Sequence, residues 1–290
     1  MLQGAYTAIV TPFRADGSVD YEKLRALVDM QARAGIDGIV PVGTTGESPT
    51  LNYDEHRKVI MVAAEAARGR MKVIAGTGAN STAEAIELTQ YAIEAGADAT
   101  LQVAPYYNRP NAEGIHRHFM AIADLGLPVV LYNVPGRTGK DITADMVVRL
   151  AKHPRIVAVK EAGGNVDRVS QILARCNITV FSGDDALTLP MMSVGAKGVI
   201  SVASNVAPDM VANMVHHALD GQWEEARALH FKLHRLFTDL FIDSNPIPVK
   251  AAMSMMGLIE EAYRLPLCNM PDNLKQTLRE TLKATGLLQA

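Results

Sequence analysis

Short runs of β-branched and other apolar residues alternate with longer, polar-faced segments from one end of the chain to the other. The runs that predict strands are residues 6–11, 38–42, 73–76, 99–103, 129–133, 156–160, 179–182 and 198–201. Each is short, nearly all apolar and rich in Val and Ile, as a strand buried on both faces of a parallel sheet is. Between them, residues 21–34, 53–68, 82–95, 112–123, 143–151 and 209–219 carry apolar residues at helical spacing. Asn52 with Glu55, and Ser81 with Glu84, read as capping boxes. Gly35, Gly69, Gly96 and Gly126 mark helix ends. The β-α units reach eight near residue 220, the number that closes a barrel. An open doubly wound sheet usually stops sooner and carries a Gly-rich turn after its first strand. Here that strand ends in Thr11-Pro12-Phe13. The pattern predicts an α/β chain with a (β/α)8 TIM barrel over residues 1–222.

Residues 223–290 break the alternation. Ala226, Leu229, Leu233, Leu236, Phe237, Leu240 and Phe241 form an amphipathic helical stripe. Pro246 opens a second helical run to Met256, and Pro271-Asp272 opens a third. This predicts a three-helix C-terminal domain packed on the barrel.

Composition narrows the setting. Of 290 residues, 48% are apolar and 20% charged, and 28 basic against 31 acidic residues give a net charge of −3. With a mean hydropathy of +0.07, this is not the composition of a disordered chain. The charge balance argues against nucleic acid or an anionic membrane as a partner. Cys176 and Cys268 make neither a disulfide framework nor a zinc motif. No apolar run reaches the roughly 18 residues of a membrane span, and the first residues lack the basic and small-residue pattern of a secretory leader. A cytoplasmic protein is expected.

In a (β/α)8 barrel the chemistry sits where strands end at the C-terminal face. That selects Thr44, Thr45, Thr77, Tyr106, Tyr107, Tyr132, Asn133, Lys160, Glu161 and the run Gly183-Asp184-Asp185. Lys160 follows Ile156-Val157-Ala158-Val159, so its side chain leaves a buried strand at the barrel mouth. One reading is a lysine snorkelling to water; the other is a Schiff-base nucleophile, which must be a neutral amine. An ordinary lysine titrates at about 10.4, and bringing such an amine to about 7–8 takes roughly 3–5 kcal/mol. An apolar barrel interior supplies that kind of destabilisation. Tyr132, one strand earlier at the same level, is placed for proton shuttling or simply to cap the core. Gly43-Thr44-Thr45-Gly46-Glu47-Ser48 is a small-residue turn whose successive amides suit a carboxylate, or a structural turn alone. Arg137, in Pro135-Gly136-Arg137-Thr138-Gly139, offers a bidentate clamp for a second carboxylate or a solvated loop charge.

Other signals are structural. Gly76-Thr77-Gly78-Ala79-Asn80-Ser81 falls short of a dinucleotide-binding pattern. His116 and His118 lie in a helix, whereas metal ligands of barrel hydrolases stand at strand ends. His230 and His234 are one helical turn apart with no companion acid. Asp184 and Asp185 read as caps of the next helix.

Together, Gly43-Thr44-Thr45-Gly46-Glu47, Tyr132-Asn133-Val134-Pro135 with Arg137, Lys160-Glu161, Gly183-Asp184-Asp185 and Asn245-Pro246-Ile247-Pro248-Val249-Lys250 resemble the class I aldolase superfamily of N-acetylneuraminate lyase. Over essentially the whole chain the resemblance is to its 4-hydroxy-tetrahydrodipicolinate synthase (dihydrodipicolinate synthase) branch. Thr44-Thr45 and Arg137 are typical of that branch; sialic-acid lyases usually carry Ser-Thr and lack the arginine. The resemblance implies a lyase of lysine biosynthesis that condenses pyruvate with L-aspartate 4-semialdehyde. It implies Lys160 as the imine-forming amine and Tyr132, Thr44 and Tyr107 as a proton relay, with Tyr107 entering from a neighbouring subunit. It also implies that Thr45 and nearby amides hold the pyruvate carboxylate, that Arg137 holds the acceptor's, and that carbonyls of Gly183 and Ile200 line the pocket. No metal or organic cofactor is implied, because the imine is the electron sink. The expected assembly is a homotetramer, a dimer of dimers.

The resemblance also implies an L-lysine inhibitory site at Ser48, Pro49, His56, Asn80, Glu84 and Tyr106. Pro49 and Tyr53 stand where lysine-sensitive members often have alanine and histidine. The alternatives are another pyruvate-dependent aldolase acting on sialic or keto-sugar acids, which predicts a polyol pocket and an incidental Arg137, and a non-catalytic barrel, which predicts a damaged site.

Overall fold

The strand runs do what their two-sided burial predicts. In the computed structural model of the protein, which describes residues 2–289, eight parallel strands close into a barrel in chain order. They are β1 (Gly4–Thr7), β2 (Gly38–Ile39), β3 (Lys72–Gly76), β4 (Ala99–Val103), β5 (Val129–Asn133), β6 (Ile156–Glu161), β7 (Thr179–Ser182) and β8 (Gly198–Ser201). The surrounding helices are α1 (Tyr21–Arg33), α2 (Tyr53–Ala67), α3 (Thr82–Glu94), α4 (Ala112–Ala123), the single turn α5 (Pro135–Thr138), α6 (Ala144–Leu150), α7 (Asp167–Leu173), α8 (Thr188–Ser193) and α9 (Pro208–Leu219). The tail supplies α10 (Trp223–Asp239), α11 (Ile247–Met255) and α12 (Asp272–Thr285).

Because strand side chains alternate, the barrel has two apolar layers. Tyr6, Ile74, Leu101, Val130, Ala158, Phe181 and Ile200 fill the interior. Tyr6 and Phe181 meet edge to face at 5.2 Å, an arrangement that adds about 0.5–1.5 kcal/mol beyond burial. The outward strand residues join the helices in a larger cluster that also takes in Leu233, Leu236, Phe237, Leu278 and Leu282 of the tail. Among the described residues no helix is long and apolar enough to cross a membrane.

The two first strands are shorter than the hydrophobic runs predict. Residues 8–11 stay buried; Ala8 N and Ile9 N still donate to the Ser201 and Val40 carbonyls, but from Val10 on the polar groups turn to the mouth instead of a ladder. Val10 N donates to Asn205 Oδ1 (3.2 Å) and Thr11 Oγ1 to the Gly46 carbonyl (2.6 Å). Strand β2 stops because Pro41 has no N–H to donate and Val42 takes a left-handed conformation at φ 56°. The Asn52–Glu55 capping box forms. The one expected at Ser81 does not: Ser81 makes no side-chain cap bond, and Glu84 faces a pocket with Tyr53 and Tyr106 instead. Asp184 caps as expected, accepting from Ala186 N at 3.1 Å. Asp185 does not; it is buried and ties down the end of β8 through Ser201 Oγ (2.5 Å), Val202 N and Ala203 N (both 3.0 Å).

At the opposite end of the barrel, Asp37 accepts from Ala5 N and pairs with His216 Nε2, both at 2.8 Å. The hydrogen bond to Asp37 holds His216 above the ordinary histidine range. A raised folded pKa contributes stability that is complete below the unfolded value of about 6.5 and is lost as pH rises through the folded value. The urea midpoint of the wild type should therefore exceed that of His216→Gln by more at pH 5.5 than at pH 9. An equal difference at both pH values would contradict the assignment.

Candidate active site

The parallel register sets the core of the site. Tyr132 of β5 pairs with Lys160 of β6, directly above the pair Val130 and Ala158, so both side chains point into the barrel. Lys160 is 6% exposed, and its Nζ lies 4.3 Å from the centroid of the Tyr132 ring. Gly183, at the end of β7, leaves the room this side chain occupies. A Cβ there would stand 2.7 Å from Ala162 Cβ and 3.0 Å from Lys160 Cε.

The nearby carboxylates are committed elsewhere. Glu161 points outward by strand alternation and accepts from Asn133 Nδ2 (2.9 Å), Gly163 N (2.8 Å) and Arg168 Nε (3.0 Å). Burial pushes its carboxyl up, against the opposing pull of Arg168 and these hydrogen bonds. Asp184 is turned to Ala186, and Glu47 is paired with Lys250. Lys160 is left facing the Tyr132 ring and the cavity.

The wall opposite is the turn after β2. Left-handed residues bracket it, Val42 at φ 56° and Glu47 at φ 55°, and the first is a strained conformation for a β-branched side chain. It is possible because residue 76 is glycine; any Cβ there would collide with the Val42 carbonyl. Gly46 N, Glu47 N and Ser48 N are used inside the turn. The amides of Thr44 and Thr45 donate to no other protein group among the described residues. Consecutive free amides of this kind form a nest for an anion. Thr45 Oγ1 accepts from Asn245 Nδ2 (3.0 Å), and Arg137 Nη2 donates to the Asn245 carbonyl (3.1 Å).

These groups surround a cavity of about 170 Å³ lined by Thr44, Thr45, Tyr132, Arg137, Lys160, Gly183 and Asn245, among others. A second lobe of about 210 Å³ shares Thr44, Tyr132 and Arg137 and extends to Ser48, Pro49 and Tyr106. Six sequence-predicted residues thus converge. Two do not line either lobe. Ile200 lies in the interior apolar layer beneath. Tyr107, at φ 68°, is 91% exposed and stands outside its own chain's cavity.

A third pocket, also about 210 Å³, gathers Ser48, Pro49, His56, Glu84 and Tyr106 with Tyr53. Burial and then Glu84 raise the phenols of Tyr53 and Tyr106. His56 is buried, donating or accepting through Nε2 at the Gly76 carbonyl (2.8 Å), and burial lowers its pKa. Asn80 does not line this pocket; its carbonyl accepts from Asn108 Nδ2 at 2.9 Å.

Strand-end reasoning missed the tail's contribution. Asn245 and Phe241 line the first cavity, although Phe241 reads from sequence as part of the packing stripe. The signal was Asn245-Pro246-Ile247-Pro248-Val249-Lys250, a run with no strand to place it. The helical histidines do not form a metal centre. His118 bonds Thr82 Oγ1 through Nδ1 (2.9 Å) and is lowered to about 4 by burial. Among the described residues no three His, Cys, Asp or Glu are grouped to hold a metal ion.

The model of the dihydrodipicolinate synthetase family matches residues 1–285. The 4-hydroxy-tetrahydrodipicolinate synthase of Geobacter sulfurreducens is 52% identical over 291 residues, covering 99% of this chain and all of that one. The crystal structure of chloride-inhibited dihydrodipicolinate synthase from Acinetobacter baumannii, complexed with pyruvate, is similar at a TM-score of 0.97 and 46% identity, covering 99% of this chain and 100% of that one. The enzyme of Cyanidioschyzon merolae with lysine bound is similar at a TM-score of 0.96 and 44% identity, with 99% of each chain covered.

Proposed function

The chain belongs to the dihydrodipicolinate synthetase family, and on that premise we propose how its residues carry the reaction. It is a lyase that condenses pyruvate with L-aspartate 4-semialdehyde to 4-hydroxy-tetrahydrodipicolinate, in diaminopimelate and lysine biosynthesis. The observation that carries the assignment of residues is Lys160, nine-tenths buried against the Tyr132 ring at the floor of a cavity whose opposite wall offers free amides.

Lys160 Nζ attacks the pyruvate ketone, the carbinolamine loses water, and an iminium forms. The Thr44 and Thr45 amides, with the Thr45 hydroxyl, hold the pyruvate carboxylate. The cationic imine makes loss of a methyl proton easy and gives an enamine, whose carbon adds to the aldehyde of the second substrate. Arg137, at the rim where the two lobes meet, clamps that substrate's carboxylate. Its amino group then attacks the imine carbon, closes the ring and releases the Lys160 amine. Tyr132 and Thr44 move the protons, joined by Tyr107 of a neighbouring subunit. The carbonyl oxygen of Gly183, which lines the cavity, faces the pyruvate position, whereas Ile200 in the layer beneath only closes the floor.

Three further parts belong to the same reading. The exposed, left-handed Tyr107 supports an oligomer in which it completes a partner's site, a homotetramer of two dimers in the cytoplasm. The division at residue 222 separates the catalytic barrel from the helical tail. The pocket of Glu84, Ser48, His56 and Tyr106 takes the ammonium and carboxylate of L-lysine as an inhibitor. Pro49 and Tyr53 reshape its rim.

With pyruvate as donor, the protein should turn over aspartate semialdehyde and not N-acetylmannosamine; the reverse preference would replace this reading with the sialic-acid lyase one. Arg137→Ala should keep imine formation and lose condensation by about 10²-fold, whereas equal loss of both would give Arg137 another role. Activity should fall as L-lysine is raised to millimolar levels, and a flat curve would remove the inhibitory site.

A further inference from the structure

A fully buried ion pair joins the turn after β2 to the tail. The side chains of Glu47 and Lys250 are both fully buried and paired, one from the turn after β2 and the other from α11. Glu47 Oε2 also accepts from Arg264 N at 3.4 Å, and Lys250 Nζ stands 4.2 Å from the Phe13 ring centroid. Burying two such charges gains little stability over an apolar pair of the same volume, so packing alone does not account for them.

Their position does. Glu47 is left-handed, donates its amide to the Thr44 carbonyl at 3.1 Å, and stands two residues past Thr45. Lys250 lies on the helix that begins just after Asn245, and its amide donates to the Pro246 carbonyl at 3.0 Å. Asn245 returns to the cavity through Thr45 Oγ1 and Arg137. Its own Oδ1 is buried and has no protein partner among the described residues. A closed circuit results, running from the turn through the ion pair to the tail and back to both ends of the cavity.

We propose that Glu47 and Lys250 are positioning residues for the condensation. The ion pair sets the depth of the 43–47 turn, and with it the spacing between the Thr44–Thr45 amides and Lys160. The contribution is one of reach rather than charge: the carboxylate length fixes how far the turn is drawn toward α11. Neither residue lines the cavity. The inference rests on the roles given above to Lys160 and the threonine turn.

Two near-isosteric variants separate reach from charge. Glu47→Gln keeps the side-chain length and an oxygen that accepts from the Lys250 amine; Glu47→Asp keeps the charge and is one methylene shorter. The expected result is that E47Q retains kcat and pyruvate KM within about threefold, while E47D raises pyruvate KM by about tenfold or more. At saturating pyruvate E47D should still be trapped fully by borohydride, at an unfolding midpoint no lower than that of E47Q. An E47Q protein impaired tenfold overturns the proposal on its own, because its reach is intact. So does an E47D protein with wild-type KM, or a KM that only tracks lost stability in both variants. Failure of the underlying reading is distinguishable, because the wild type itself would then give no trapped imine.

Discussion

Glu47 and Lys250 meet where no water reaches, between a turn at the barrel mouth and a helix of the tail. A carboxylate and an ammonium can share such a place only if each is the other's main partner. Once paired, the two side chains span a set distance between the turn and the tail, whereas the apolar contacts around them tolerate repacking. A second, half-buried contact reinforces it: the Arg264 guanidinium grips both Glu55 oxygens at 2.6 Å and the Thr50 carbonyl at 2.8 Å. Segment 43–55, which carries the two threonines and the residues of the adjoining pocket, is therefore held from the tail side at several points. The tail is part of the mouth rather than an ornament on the barrel.

The same reasoning separates two lysines that burial alone does not distinguish. Burial lowers the Lys250 amine, opposed by Glu47, and that amine is enclosed by its partner and the Phe13 and Tyr263 rings. Lys160 is almost as buried, yet its neighbours' carboxylates are turned outward or into caps, and it opens on a cavity. Strand alternation is the cause. It sends Lys160 inward beside Tyr132 and Glu161 outward to Arg168. One residue of slip on β6 would exchange the amine for the carboxylate and leave the cavity without a nucleophile.

The barrel was legible because eight strands buried on both faces leave continuous apolar runs that no surface strand shows. Strand ends were less so. The runs at residues 6–11 and 38–42 are as apolar as the others, but Pro41 and a left-handed Val42 end the ladder early. Capping at Ser81 failed although the letters fit, since Glu84 is drawn to the tyrosines of a pocket assembled from distant segments. Lys160, Tyr132, Thr44, Thr45 and Arg137 could be named from strand ends and the family resemblance, and they converge. Asn245 and Lys250 stood in a motif of the family resemblance but had no strand end to give them a role, because that role depends on where a helical tail returns to the barrel. Tyr107 is exposed and lines neither lobe of its own chain's cavity.

The central claim is that the amine of Lys160, and not the more deeply buried amine of Lys250, forms the covalent bond to pyruvate. Incubating the protein with pyruvate and borohydride, digesting it and mapping the modified peptide by mass spectrometry tests this directly. The account predicts one reduced adduct, on the peptide that contains Lys160, and none after Lys160→Ala. An adduct on Lys250, or labelling that survives Lys160→Ala, would contradict it.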